Sequence, residues 1–163
     1  RGLNNMKDKS ELKGIGGWLI LPAIGVFLGP FIAIGMDFAS YASYFEGGDF
    51  LGTVSYYNSE IPNFSILFWP ELLFAIFIDV LIFYLVYLMV AKKSFFPILY
   101  VRIIYLSLAF LIIDYSAIYL LLGDEYFFID STDIRAFFQV LFSLAVWVPY
   151  MKKSVRVKNT FIN

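Results

Sequence analysis

Few ionisable side chains of this sequence stand inside apolar stretches. Besides Arg102, near enough to one end of its stretch to snorkel to headgroups, they are Glu71 and Asp79 in "WPELLFAIFIDVLIF", Asp114 in "AFLIIDYSAIYLLL", and Arg135, with Gln139 one turn on, in "DIRAFFQVLF". Carboxyl groups in such surroundings have a short list of uses: exchanging a proton, holding a cation or polar solute, or pairing with a buried charge. A charge at mid-membrane costs about 2.5–3.5 kcal/mol on insertion scales, so its owner faces a bundle interior or wet cavity, takes up a proton, or finds a partner. Asp79 follows Glu71 by eight residues, which places it about 12 Å deeper along a helix and about 80° away around its axis. The two acids can border one cavity without touching.

Glu71 also has a simpler reading. Trp69-Pro70-Glu71 fits an interfacial tryptophan, a proline at the first helical position and an acid in the first turn, where the helix dipole favours it. Asp114 lies about 12 Å from the outer end of its own span, on a stripe with Ser107 and Ala117 that suits helix–helix contact. Arg135 sits just inside the outer end of the last span, so an ion pair with Asp114 or Glu71 is geometrically open. One reading makes that pair a device for holding helices in register. Another makes Asp79, Asp114, Glu71, Arg135 and Gln139 the lining of a polar pocket open to the outer side, with Asp79 at its floor. A third leaves Asp79 neutral and hydrogen-bonded to a tyrosine or serine.

The elements that must position these groups follow from composition. The 163 residues are 61% hydrophobic and 21% aromatic but only 15% charged, departures from soluble domains that point to a bilayer. A helix crosses with roughly 20 apolar residues, and segments 15–36, 66–91, 98–122 and 134–151 qualify. Their runs are continuous and lack the alternation of barrel strands. Lys7, Lys9 and Lys13, then Lys92 and Lys93, then Lys152, Lys153, Arg156 and Lys158 occupy one set of connections. Segments 37–65 and 123–133 hold no lysine or arginine but carry Asp37, Glu46, Asp49, Glu60, Asp124, Glu125, Asp130 and Asp133. Basic residues mark the cytoplasmic side. The expectation is an all-α transmembrane four-helix bundle in a single domain, with both termini cytoplasmic and one long aromatic outer loop. In that loop "DFASYASYFE" is read as a prolongation of the first helix, and "FLGTVSYY" as a short strand or interfacial turn. The first span reads as an uncleaved signal anchor, and the five residues ahead of Met6 as an expression remnant.

Several chemistries are excluded. Without cysteine or histidine there is no thiol catalysis, no disulfide framework and no ordinary zinc or iron–sulfur ligand set. An intramembrane aspartyl protease needs Gly-x-Gly-Asp, whereas "LLGD" has Leu121 where the first glycine should stand. No nucleophile–base pair is visible, so neither an enzyme nor a cofactor is expected. Gly25, Gly29 and Ala33 repeat at four-residue spacing between Pro22 and Pro30, which suits close helix packing or a broken helix lining a cavity. Lys152, Lys153, Arg156 and Lys158 set topology and can attract anionic lipid at about 1 kcal/mol each. Topology accounts for that pattern without nucleic acid.

"LKGIGGWLILPAIG" near the start and "WVPYMKKSVRVKNTF" near the end resemble the bacterial integral-membrane family called domain of unknown function 2569. The residues that carry the resemblance are Gly16, Gly17, Trp18, Leu19 and Pro22, then Trp147, Pro149, Tyr150, Ser154, Arg156, Val157, Lys158, Thr160 and Phe161. The resemblance implies a small four-span protein of the bacterial inner membrane and supplies no activity. The function expected from the residues is binding or transport of a small molecule, ion or lipid headgroup through the polar pocket. The alternative is an accessory subunit, or a homo-oligomer, whose buried charges serve helix packing and whose outer loop meets a membrane partner.

Overall fold

In hydrocarbon every backbone N–H and C=O must be satisfied within the chain, so long apolar segments become helices. The computed structural model describes residues 13–123 and 131–163. Lys7, Lys9, Asp124, Glu125, Asp130 and the five residues ahead of Met6 lie outside the described residues. After a 3-10 turn, Gly17–Leu19, come α1 (Ile20–Phe45), α2 (Phe50–Glu60), α3 (Phe64–Val90) and α4 (Phe96–Leu122). The last span is α5 (Ser131–Phe142), a π-helical turn (Ser143–Trp147) and α6 (Val148–Lys153), followed by α7 (Val155–Thr160). No strand occurs among the described residues. Among the described residues four helical stretches are long and apolar enough to cross a membrane: Gly17–Phe45, Phe64–Val90, Phe96–Leu122 and Ser131–Lys153.

Three details depart from the sequence expectation or complete it. The first helix continues through "DFASYASYF" to Phe45, which brings Asp37 inside it. "FLGTVSYY" is neither strand nor turn but most of α2, whose start is capped by the Asp49 carboxylate accepting from the Gly52 N–H at 2.8 Å. Aromatic rings decide this. Phe50 stacks on Phe45 at 4.8 Å, and Tyr57 meets Tyr44 and Phe64 at 5.4 and 5.5 Å. A helix places Phe50 and Tyr57 seven residues apart on one side, whereas a strand would send them to opposite faces. The third departure is that α3 begins at Phe64, so Pro70 lies inside the helix and Glu71 is two turns in. The first-turn reading of Trp69-Pro70-Glu71 is therefore wrong. The helix starts earlier because Asn63, in the left-handed region (φ 62°), donates its side-chain amide to the Leu121 carbonyl and ties α3 to the end of α4.

Each span packs mainly against the next span in the chain, α1 on α3, α3 on α4, and α4 on the last span. In that span the Val148 N–H reaches back to the Ser143 carbonyl, a π-type bond that accommodates Pro149, which has no N–H to give. All four spans meet at the basic end, where Lys92, Lys93, Lys152 and Lys153 lie. There Leu19 and Val26 of the first span, Leu88 and Met89 of α3, Phe96 and Leu99 of α4, and Val148 and Met151 of α6 form one core.

The C-terminal segment seals this core. Phe161 stacks on Phe96 with ring centroids 4.3 Å apart. The Ser94 N–H donates to the Asn163 carbonyl at 2.7 Å, and Ser154 caps α7 by accepting from the Val157 N–H. Thr160, fully buried, accepts from the Gly14 N–H at 2.9 Å and donates to the Arg156 carbonyl at 2.7 Å. Thr160→Val keeps the shape and leaves that N–H buried without a partner, an omission that costs about 1–3 kcal/mol. Thermal unfolding in detergent should fall accordingly for Thr160→Val and stay near wild type for Thr160→Ser. Equal melting of both variants would show that the clasp does not form.

Candidate functional site

Two antiparallel helices share a register when their contacts step evenly along both. Between α3 and α4 these are the Asn63 bond to Leu121, the carboxyl groups of Glu71 and Asp114 set side by side, and the rings of Phe74 and Phe110 stacked at 3.6 Å. Between α1 and α3 the register passes through Gly29, whose Cα lies close enough to Ile82 that an added Cβ would stand 3.5 Å from it. Further along the same pair, the carboxyl group of Asp37 stands beside that of Asp79. Helical side chains lean towards the N-terminus of their own helix. In an antiparallel pair Asp37 and Asp79 therefore lean towards each other, across about a turn of height.

Two carboxyl–carboxyl contacts thus link three helices, both of them made from α3. Tyr41, one turn beyond Asp37 on α1, has Glu71, Asp37 and Asp114 as electrostatic neighbours, which makes the two pairs one cluster. All four acids are partly buried. Among the described residues no three acids converge tightly enough to hold a metal ion.

Beside this cluster, towards the end that carries Glu46, Asp49 and Glu60, a groove of about 520 Å³ opens between α1, α3 and α4. Its walls include Tyr41, Tyr44, Phe64 and Phe68, with Glu71 as the acid among them. Phe68 is fully enclosed and holds the rings in place, with Tyr44 at 4.9 Å and Phe64 at 5.4 Å. An aromatic wall with one carboxyl group suits a cation, because ring faces carry negative potential.

The sequence-derived candidates divide accordingly. Asp79, Asp114 and Glu71 come together, and the partner of Asp114 is Glu71. Arg135 and Gln139 are exposed on α5, and among the described residues Arg135 makes no ion pair with these acids. Asp79 is partnered by Asp37 and is not among the residues that line the groove. Gly29 faces α3, Ala33 is half-buried, and a side chain at Gly25 would meet nothing within 4 Å. Sequence reasoning missed Asp37 and Tyr41 by ending the first span at residue 36. The spacing of Asp37, Tyr41 and Tyr44, four and then three residues apart, was the available signal, since it puts all three on one helical face.

The residues that carry the family resemblance lie at the opposite end. The Arg156 guanidinium covers Gly16 and Gly17, and a Cβ on Gly16 would stand 2.8 Å from its Nη1. Gly17 has a positive φ of 54°, which glycine adopts without strain. Leu19, Val157, Thr160 and Phe161 are all buried in the same knot.

Residues 12–162 match the model of the family described as "Protein of unknown function (DUF2569)". The chain belongs to this family. No curated protein and no solved structure matches it. Membership agrees with four membrane-spanning helices in a small multi-pass protein. In this DUF2569 protein the two most recognisable blocks close the tertiary structure at the basic end, and the acid cluster is built from the central spans.

Proposed function

We infer that this protein binds a small organic cation from the outer side of the bacterial cytoplasmic membrane and serves its transport or sensing. The observation that carries the reading is the linked carboxyl cluster Asp37–Asp79 and Glu71–Asp114, set beside an aromatic groove that includes Glu71. No arginine or lysine is among the described residues that line that groove, so Glu71 can offer its charge to a ligand. The lack of a tight metal cage among the described residues favours an ammonium-type solute held by ring faces and one carboxylate. Both termini are cytoplasmic in this reading, because the basic residues gather at the end where the termini meet. The groove then faces outwards.

The test is thermal stability of the purified protein in detergent with tetramethylammonium, choline or spermidine, against potassium at the same ionic strength. A ligand at about a hundred times its Kd stabilises by roughly 2.7 kcal/mol. At least one organic cation should raise the melting temperature of wild type, and Glu71→Gln or Tyr44→Ala should abolish that rise. The rival reading is an accessory subunit in which the acids only staple helices. It wins if no cation stabilises wild type selectively and the protein co-purifies stoichiometrically with another membrane protein.

A further inference from the structure

At the basic end a second groove, of about 550 Å³, runs between the start of α4 and the C-terminal segment. Its floor is apolar, with Ile98, Val101, Met151 and Phe161, and its rim carries Arg102, Lys152 and Lys158. No acid lines it. We propose that this groove is a binding site for one anionic phospholipid, with the phosphodiester held by Arg102, Lys152 and Lys158 and the first methylenes of a chain lying along Ile98 and Val101.

The geometry suits the boundary between headgroups and hydrocarbon. Arg102 is six residues inside the start of α4, about 9 Å below the end of the helix. Lys152 and Lys158 come from the end of α6 and from α7. Three cations on three elements, at two depths, therefore converge on one apolar trough. Aromatic rings orient two of them: the Arg102 guanidinium lies 5.7 Å from the Phe95 ring, and the Lys152 ammonium 5.4 Å from the Tyr105 ring. Arg102, so far inside its span, gains most from an anion that enters the groove. A free anion has no use for the apolar floor, and a neutral lipid none for the rim. Topology alone asks for lysines after the last span, but not for an arginine two turns up another helix that faces the same groove. Arg156, by contrast, is occupied against Gly16 and Gly17.

The site is at the opposite end of the bundle from the acid cluster, so it stands or falls independently of the cation reading. The experiment is native mass spectrometry of the detergent-purified protein titrated with phosphatidylglycerol, phosphatidylcholine or inorganic phosphate. Wild type should retain one phosphatidylglycerol in preference to phosphatidylcholine and show no phosphate adduct. Each of Arg102→Gln, Lys152→Gln and Lys158→Gln should weaken retention about fivefold. Lys92→Gln with Lys93→Gln, on the same face but outside the groove, should not. Ile98→Trp, at an exposed position that lines the groove, leaves every charge in place and should displace the lipid. Equal retention of the two lipids, equal loss on removing Lys92 and Lys93, or retention undiminished in Ile98→Trp would each overturn the site. Binding of phosphate as tight as that of the lipid would do the same.

Discussion

Phe161→Ala should undock the C-terminal segment at a cost of about 3 kcal/mol, the lower end of what removal of a buried phenylalanine ring costs. Phe161 is 4% exposed and stacks on Phe96, which is 0% exposed. Because α7 and the residues after it follow the last span, their released state is in water, and the full transfer penalty applies. Loss is capped by the free energy of opening this segment alone, since the spans can stay folded without it. The measurement is amide exchange. The Phe161 N–H is bonded to the Val157 carbonyl and the Asn163 N–H to the Lys92 carbonyl, and both should exchange roughly a hundredfold faster in the variant. Ile162→Ala, at a site 59% exposed, should leave exchange unchanged. Wild-type protection in Phe161→Ala would mean that the segment is not held by this ring.

The second large effect concerns the acids. Glu71→Ala removes one half of a carboxyl pair within the membrane and leaves the Asp114 carboxyl with no replacement for it, an expected loss of about 1–3 kcal/mol. Glu71→Gln keeps a donor at the same place and should stay close to wild type. A double-mutant cycle between Glu71 and Asp114 should give a coupling of about 0.6 kcal/mol or more, the mean for side-chain hydrogen bonds in membrane helices. The same cycle between Asp114 and Arg135 should give none, because Arg135 is exposed on α5 while Asp114 stands beside Glu71 of α3. The opposite pattern of couplings would restore the arginine ion pair and dissolve the carboxyl cluster.

That contrast shows how far depth and partnership differ as inferences. The placing of Asp79 and Asp114 inside spans was legible, since the rise per residue converts sequence distance into depth. Their partners were not. Arg135 and Asp114 lie in the same half of the membrane, but partnership also requires facing directions that depend on how each helix is rotated against its neighbour. The aromatic segment after residue 36 shows a second gap. Its composition suited an interface, yet the stacking of Phe45 on Phe50 and of Tyr44 against Phe64 made it one helix end and one separate helix. These contacts carried α1 far enough for Asp37 to reach Asp79.

By itself the sequence determined the class of the protein, the number of its spans and the gathering of basic residues at one end. Those properties depend on hydropathy and charge, which each residue brings with it. Tertiary structure alone decided that Asp79 answers to Asp37, that Glu71 answers to Asp114, and that the two ends of the chain close a single knot through Gly14 and Thr160. Each of these depends on inter-helix register and rotation. Both are set by side chains such as Ile82 against Gly29 and Phe74 against Phe110, whose energies appear only once the helices have met.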